Sequence, residues 1–334
     1  MRCANNGRTG TPRSVSNRRA PNSILTTVTL HVCLRAALLL IGAVTTLAQS
    51  SSFTVAIARP DGYLVPFAAY TNGHWERAWP AADEGNVDKP TFENTPSVWR
   101  RHGRPVSKTW HVWPMRGGPS LQTRVTGVES VEAHCGAQVA LKTDLQPSKA
   151  EHPNKLGVAV DSRQPLASIE AVPKLDPLWQ RAERAVAPTL SQLEAQRAQA
   201  DRVQLPLETP RPIVQITALY RESRSTNSPL YFVAEKPYRT ARAAEEPLCK
   251  AVTIMTGWLT REGAEALTLH SPRVFLTDCD AKEVRTAEPL AAIHLSDRLF
   301  WILQEHGYED ESYIVAEIAR SGIRYHLAVN GGGC

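Results

Sequence analysis

Apolar and polar residues alternate in short runs along much of the chain, and such runs are typical of β-strands. In the C-terminal third, six runs are rich in β-branched or aromatic residues and end at turn residues: 251–259, 273–279, 291–295, 299–304, 313–318 and 323–329. Earlier runs of the same kind lie at 53–58, 63–70, 121–125, 129–133, 138–141, 213–220 and 230–234. The pattern predicts a mainly β protein whose antiparallel sheets form a sandwich or a partial propeller-like meander.

One segment has helical rather than strand spacing. Asp176 and Pro177 form a helix start, because an aspartate side chain caps the first amide groups and proline fits the first helical position. Pro188 predicts a break, with a second helix continuing to about residue 203. We interpret 176–203 as a surface helix that connects two β modules; a partner-binding helix is the alternative.

Proline-rich stretches suggest how the chain is divided. We predict a Trp-rich β module at 49–145, a linker with the helical connector at 146–210, and a C-terminal β module at 211–334. The remaining segment, 1–48, has the outline of an export signal.

This leader contains six arginines and no lysine or acidic residue, followed by an apolar run and by small residues before Gln49. We therefore expect export to a secreted or periplasmic location and a mature chain that starts near Gln49. Residues 36–58 carry no charge, so an uncleaved membrane anchor is the alternative. Loss of the six arginines lowers the net charge from +5 to −1. A chain so close to neutral lacks the basic surface of nucleic-acid-binding proteins.

Four cysteines follow the leader: Cys135, Cys249, Cys279 and Cys334. An even number in an oxidising compartment indicates structural disulfides. If the runs at 251–259 and 273–279 form a hairpin centred on residue 264, Cys249 lies opposite Cys279 at a distance that a disulfide can span. The pairing of Cys135 and Cys334 stays open.

No stretch carries a motif for a nucleophile elbow, a phosphate loop, a zinc protease or a dinucleotide site. We therefore expect no cofactor and no metal site. The best catalytic candidates are Asp278 and Asp280, two carboxylates on one strand face, with His294 as a base. The alternative, which we favour, is that aspartates at a strand end accept backbone hydrogen bonds in the following turn.

Five of the eight tryptophans lie between positions 75 and 113. Trp75, Trp79, Trp110 and Trp113 could form a stacking platform for a sugar or another flat ligand, or could supply core packing.

Together these features favour an exported, non-enzymatic, β-rich protein that binds a ligand or protein of unspecified chemistry. The first alternative is an extracytoplasmic hydrolase that uses Asp278 or Asp280 with a histidine. The second is an accessory protein that contacts the membrane through an uncleaved leader.

Overall fold

A computed structural model of the chain describes residues 52–78, 107–115, 119–133, 136–147, 157–205, 212–223, 228–240, 248–262, 266–282, 284–319 and 321–333. These residues contain sixteen strands and one helix, and all belong to one compact unit, Ser50–Cys334. Every strand pairing is antiparallel. The predicted mainly β fold with antiparallel sheets and a helical connector is therefore confirmed.

The first seven strands form one sheet: β1 (Phe53–Ala58), β2 (Tyr63–Thr71), β3 (His74–Arg77), β4 (Thr109–Pro114), β5 (Leu121–Ala133), β6 (Gly136–Thr143) and β7 (Gly157–Val160). Their order is β1-β7-β4-β5-β6-β2-β3, and β1 also pairs with β2. This extra pairing closes six of the strands into a barrel. Strand β3 pairs with β2 through a turn at Asn72 and Gly73, both with positive φ, as a two-residue Asn-Gly hairpin turn requires.

The other nine strands form a second sheet: β8 (Leu166–Ala171), β9 (Gln215–Glu222), β10 (Leu230–Thr240), β11 (Leu248–Glu262), β12 (Ala266–Thr277), β13 (Thr286–Leu295), β14 (Arg298–His306), β15 (Asp310–Ala319) and β16 (Gly322–Gly333). Its order is β12-β11-β10-β9-β8-β13-β14-β15-β16. The sheet curls into a half-barrel, and its two edge strands, β12 and β16, come into contact.

Helix α1 (Pro177–Asp201) starts where the sequence predicts, with the Asp176 side chain accepting a hydrogen bond from the Leu178 N–H at 2.9 Å. The predicted break at Pro188 is wrong, because this proline lies inside one continuous helix. The apolar side chains before and after it, Val186 and Leu190, are both fully buried against the sheet. This packing offsets the hydrogen bond that proline cannot donate.

Side chains alternate between the two faces of each strand, so neighbouring residues of one strand contribute to different hydrophobic cores. In β1, Val55 and Ile57 face a core shared with β13–β16, whereas Ala56 and Ala58 face a different core inside the barrel. The half-barrel has a concave core that includes Trp258, Trp301 and Tyr231. Its opposite face is covered by α1 along β9–β12 and by the barrel along β13–β16.

The segment 146–210, expected to be a linker with a helix, also supplies β7 and β8, one to each sheet. The predicted module boundaries stay a prediction. Among the described residues, no helix is both long and apolar enough to span a membrane.

Candidate functional site

The two candidate aspartates lie in the exposed turn after β12. The Asp278 carboxylate accepts hydrogen bonds from the backbone N–H groups of Asp280 and Ala281, both at 3.2 Å. Asp280 forms an ion pair with Lys282 at 2.9 Å. These are the contacts of a turn, and a catalytic role for either aspartate stays a prediction.

His294 has a different carboxylate partner from the one suggested by the sequence. Its Nε2 lies 2.8 Å from Oε1 of Glu222, the last residue of β9. The His294 side chain is 52% exposed, whereas that of Glu222 is 1% exposed. The second Glu222 oxygen, Oε2, is buried and has no hydrogen-bond partner among the described residues. The sequence offered no signal for Glu222 beyond its place at the end of an alternating strand.

The predicted disulfide between Cys249 and Cys279 is present, with the two Cα atoms 5.9 Å apart. Near the hairpin loop, β11 and β12 pair in the expected register, but a bulge at Gly257 shifts it by one residue. The cysteines therefore lie beyond the last strand pair, Val252 and Thr277, and the bond ties β11 to the turn after β12. Cys135 and Cys334 lie outside the described residues.

The clustered tryptophans occupy separate places. Trp110 is fully buried inside the barrel, where its indole N–H donates to a backbone carbonyl at 3.0 Å. Trp75 is buried in the core between the barrel and the half-barrel, in edge contact with Phe53. Trp113 is partly buried against that same core. Trp79 lies outside the described residues, and a ligand-binding role for the set stays a prediction.

The half-barrel contains a cleft where its concave core reaches the surface between β12 and β16. Its enclosed part has room for about one water molecule, and the rest is open to solvent. Tyr325 supplies an exposed ring next to the buried rings of Tyr231 and Trp258, and Arg273 and Glu305 supply opposite charges. The sequence did not indicate this site, because its residues come from strands far apart in the chain.

The β11–β12 pairing is interrupted at the cleft. Ser271 and Pro272 on β12 lie opposite the single residue Gly257 on β11. Ser271 has a left-handed backbone with φ of 49°. A Cβ atom on residue 257 would come within 3.1 Å of the Phe232 ring, so glycine allows the strands to pack closely. Bulges of this kind redirect side chains next to binding sites.

An aromatic network forms the floor of the cleft. Trp258 lies edge-on to Tyr231 and to Trp301, with ring centroids 5.2 and 5.0 Å apart. The Trp258 indole N–H donates to the Tyr325 hydroxyl at 3.4 Å. Since Tyr325 is 49% exposed, this network continues from the core to solvent.

The polar groups at the cleft are a buried phenol and an ion pair. The Tyr231 hydroxyl accepts a hydrogen bond from the Ala287 N–H at 3.3 Å, and burial is the main cause that raises the pKa of Tyr231 to about 12. This phenol is therefore neutral near pH 7 and can donate a hydrogen bond. Arg273 forms an ion pair with Glu305, with the arginine 46% exposed and the glutamate 11% exposed.

The cleft thus combines aromatic rings, a buried hydroxyl and one ion pair, which suits recognition of a small polar ring. Within the described ranges, no group of three histidine, cysteine, aspartate or glutamate side chains could hold a metal ion. No protein-family model, curated protein or solved structure gives a significant match to this chain.

Proposed function

We propose that this chain is an exported, non-enzymatic binding protein that takes its ligand at the cleft between β12 and β16. The observation that carries the proposal is the aromatic network of Trp258, Tyr231 and Tyr325, which leads from the concave core to solvent. Apolar clefts with a few convergent polar groups are the usual form of small-molecule sites.

The shape of the cleft favours contact with a ligand at its mouth over enclosure of the ligand. The enclosed part has room for about one water molecule, so a ligand would rest on the exposed ring at the mouth. The exposed Tyr325 ring can contact the face of a flat or cyclic group, while Arg273 and Glu305 offer a donor and an acceptor to its polar substituents. A sugar ring, or another flat ring with polar substituents, fits this description.

Two features support export. The acid-free leader ends in small residues before Gln49, and the Cys249–Cys279 bond is of a kind that persists in oxidising compartments. N-terminal sequencing of the protein from fractionated cells tests this part. A start near Gln49 supports export, whereas a retained leader in alkali-washed membranes supports the anchored accessory protein.

Binding at the cleft can be located by NMR. The protein would be titrated with a panel of monosaccharides, nucleosides and aromatic amines while the indole N–H resonances are followed. We expect at least one class of compound to shift the Trp258 resonance in a saturable way, because that N–H lies at the cleft. The proposal fails if every saturable shift belongs to tryptophans outside the cleft.

The same titrations are repeated on a matched pair of variants. Tyr325→Ala removes the exposed ring of the cleft, and Tyr308→Ala removes a ring that is 63% exposed and is not part of its lining. We expect Tyr325→Ala to abolish the Trp258 response and Tyr308→Ala to leave it unchanged.

The pairing of His294 with Glu222 favours a second candidate, an extracytoplasmic hydrolase. A buried carboxylate that orients a half-exposed imidazole is an arrangement used for general bases. Among the described residues, no hydroxyl or thiol is hydrogen-bonded to His294 as a nucleophile. The candidate therefore requires a water molecule as the attacking group.

Chromogenic esters, glycosides and peptides test this candidate. We expect no turnover. A turnover that His294→Gln or Glu222→Gln abolishes, and that His306→Gln does not, would establish the hydrolase. Asp278→Asn and Asp280→Asn belong in the same assay, since loss of activity in either variant would assign a catalytic role to that aspartate.

A further inference from the structure

Three arginines from distant parts of the chain meet on the face of the half-barrel that α1 covers. Arg221, near the end of β9, lies opposite Leu230 of β10, and Leu230 lies opposite Leu259 of β11. Leu259 packs against α1, so Arg261, two residues further along β11, lies on the same face. Arg181 belongs to the first turns of α1 itself. We call Arg181, Arg221 and Arg261 the arginine cluster.

Among the described residues, the acidic side chains near the arginine cluster form ion pairs with only one of its members, Arg221. Glu170 binds the Arg221 guanidinium at 2.7 Å, and Asp176 binds it at 3.3 Å. The Nε atoms of Arg181 and Arg261 are buried and have no hydrogen-bond partner in the described part of the chain. Three positive charges therefore face two negative ones, and two guanidiniums keep unused donors.

The surroundings increase this excess of positive charge. The N-terminus of α1 carries a partial positive charge, and the first turn of the helix contains no acidic residue. The pKa of Arg261 is lowered, first by burial and then by repulsion from Arg181 and Arg221, against the weaker attraction of Asp176. An unpaired buried donor and close like charges both cost stability. A bound anion would relieve both costs at once.

We propose that the arginine cluster binds an oxyanion, namely a phosphate or sulfate group. Guanidinium groups present planar forks of N–H donors that match the oxygens of such anions. The two unused Nε–H groups supply donors, and the net positive charge favours an anion. Because all three arginines are only half-buried, solvent-borne anions can reach them. This site is distinct from the cleft, which opens on the concave side of the sheet.

The anion is either a free ion or a group carried by a larger ligand, and an experiment can distinguish the two. Calorimetric titrations would use sodium phosphate, sodium sulfate and the phosphate ester phosphoserine, each at an ionic strength matched with sodium chloride. Binding of inorganic phosphate or sulfate would show a site for the free anion. Binding of phosphoserine alone would show that the anion belongs to a larger ligand.

Three charge-neutralising variants test the residues. We expect Arg261→Gln and Arg181→Gln to weaken anion binding at least tenfold, because each removes one fork. Arg184→Gln is the matched control, since Arg184 is exposed on the same helix and its guanidinium donates to the backbone of its own helix. We expect the affinity of the Arg184→Gln variant for the anion to stay within twofold of that of the wild-type protein.

Folding of these variants is checked by their melting temperatures in sodium chloride. Neutralising one of three neighbouring like charges should leave the melting temperature unchanged or higher. The proposal is overturned if no anion binds more tightly than chloride, or if Arg261→Gln and Arg181→Gln bind as the wild-type protein does.

Discussion

Glu194 shows how a single polar residue can serve the fold of this protein. It lies on α1, among residues that a helical pattern assigns to the polar face, yet it is 2% exposed. Its carboxylate accepts hydrogen bonds from the Lys236 ammonium and from the hydroxyls of Tyr238 and Thr253. All these donors come from β10 and β11, so the glutamate fastens the helix to the sheet.

Glu194→Ala should therefore be strongly destabilising. It leaves the Lys236 ammonium, 14% exposed, without its carboxylate and two hydroxyls without an acceptor. We expect a loss of about 3–5 kcal/mol in the free energy of unfolding, as for other broken buried ion pairs. Urea denaturation measures it, with Asp201→Ala as the control. The exposed Arg197–Asp201 pair on the same helix should contribute less than about 1 kcal/mol.

Glu317 makes a pH-dependent contribution to stability. The hydrogen bond from Arg298 at 2.7 Å is the main cause that lowers the pKa of Glu317 to about 2, with the contact to His326 adding to it against the effect of burial. Because the folded pKa lies below the ordinary value of 4.5, the contribution is fully present above pH 4.5 and is lost as the pH falls through 2. Its size is about 3 kcal/mol.

Urea unfolding between pH 6 and pH 2 measures this contribution. We expect Glu317→Gln to be less stable than the wild-type protein at pH 6 and to lose less stability towards pH 2. Parallel curves for the two proteins across this range would contradict the assignment. Asp201→Asn, which removes an exposed carboxylate, should follow the wild-type curve.

At the scale of elements, the β11–β12 hairpin and its disulfide were both predicted from the sequence. The bond joins residues separated by 30 positions. Closing a loop of this length lowers the entropy of the unfolded chain and stabilises the protein by about 3–4 kcal/mol.

We expect Cys249→Ser to lose about 3–4 kcal/mol in the free energy of unfolding, as measured by urea denaturation. Non-reducing peptide mapping provides the control. A link from Cys249 to Cys135 or Cys334 would contradict the structure.

Local signals explain which elements could be predicted. The start of α1 depends on two residues next to each other, Asp176-Pro177, and its prediction is correct. The β2–β3 turn depends in the same way on Asn72-Gly73. Strands β7 and β8 were missed because Gly157–Val160 and Leu166–Ala171 are short and lie among prolines. Pro188 was misjudged because the compensating contacts come from the sheet rather than from the helix.

The architecture of the whole molecule depends on contacts that no local pattern shows. The barrel closes because β1 pairs with both β2 and β7, and β7 lies about a hundred residues further along the chain. The cleft forms because the edge strands of a nine-stranded sheet curl towards each other. Its residues, like the Glu222 partner of His294, become neighbours only through this topology.

Isothermal titration with the best compound of the panel tests most directly whether this cleft binds a ligand without converting it. We predict one site per chain, affinity at least tenfold weaker in Tyr325→Ala and unchanged in Tyr308→Ala, and recovery of the intact compound by mass spectrometry. Equal affinity in Tyr325→Ala and the wild-type protein, or recovery of a reaction product, would contradict the account.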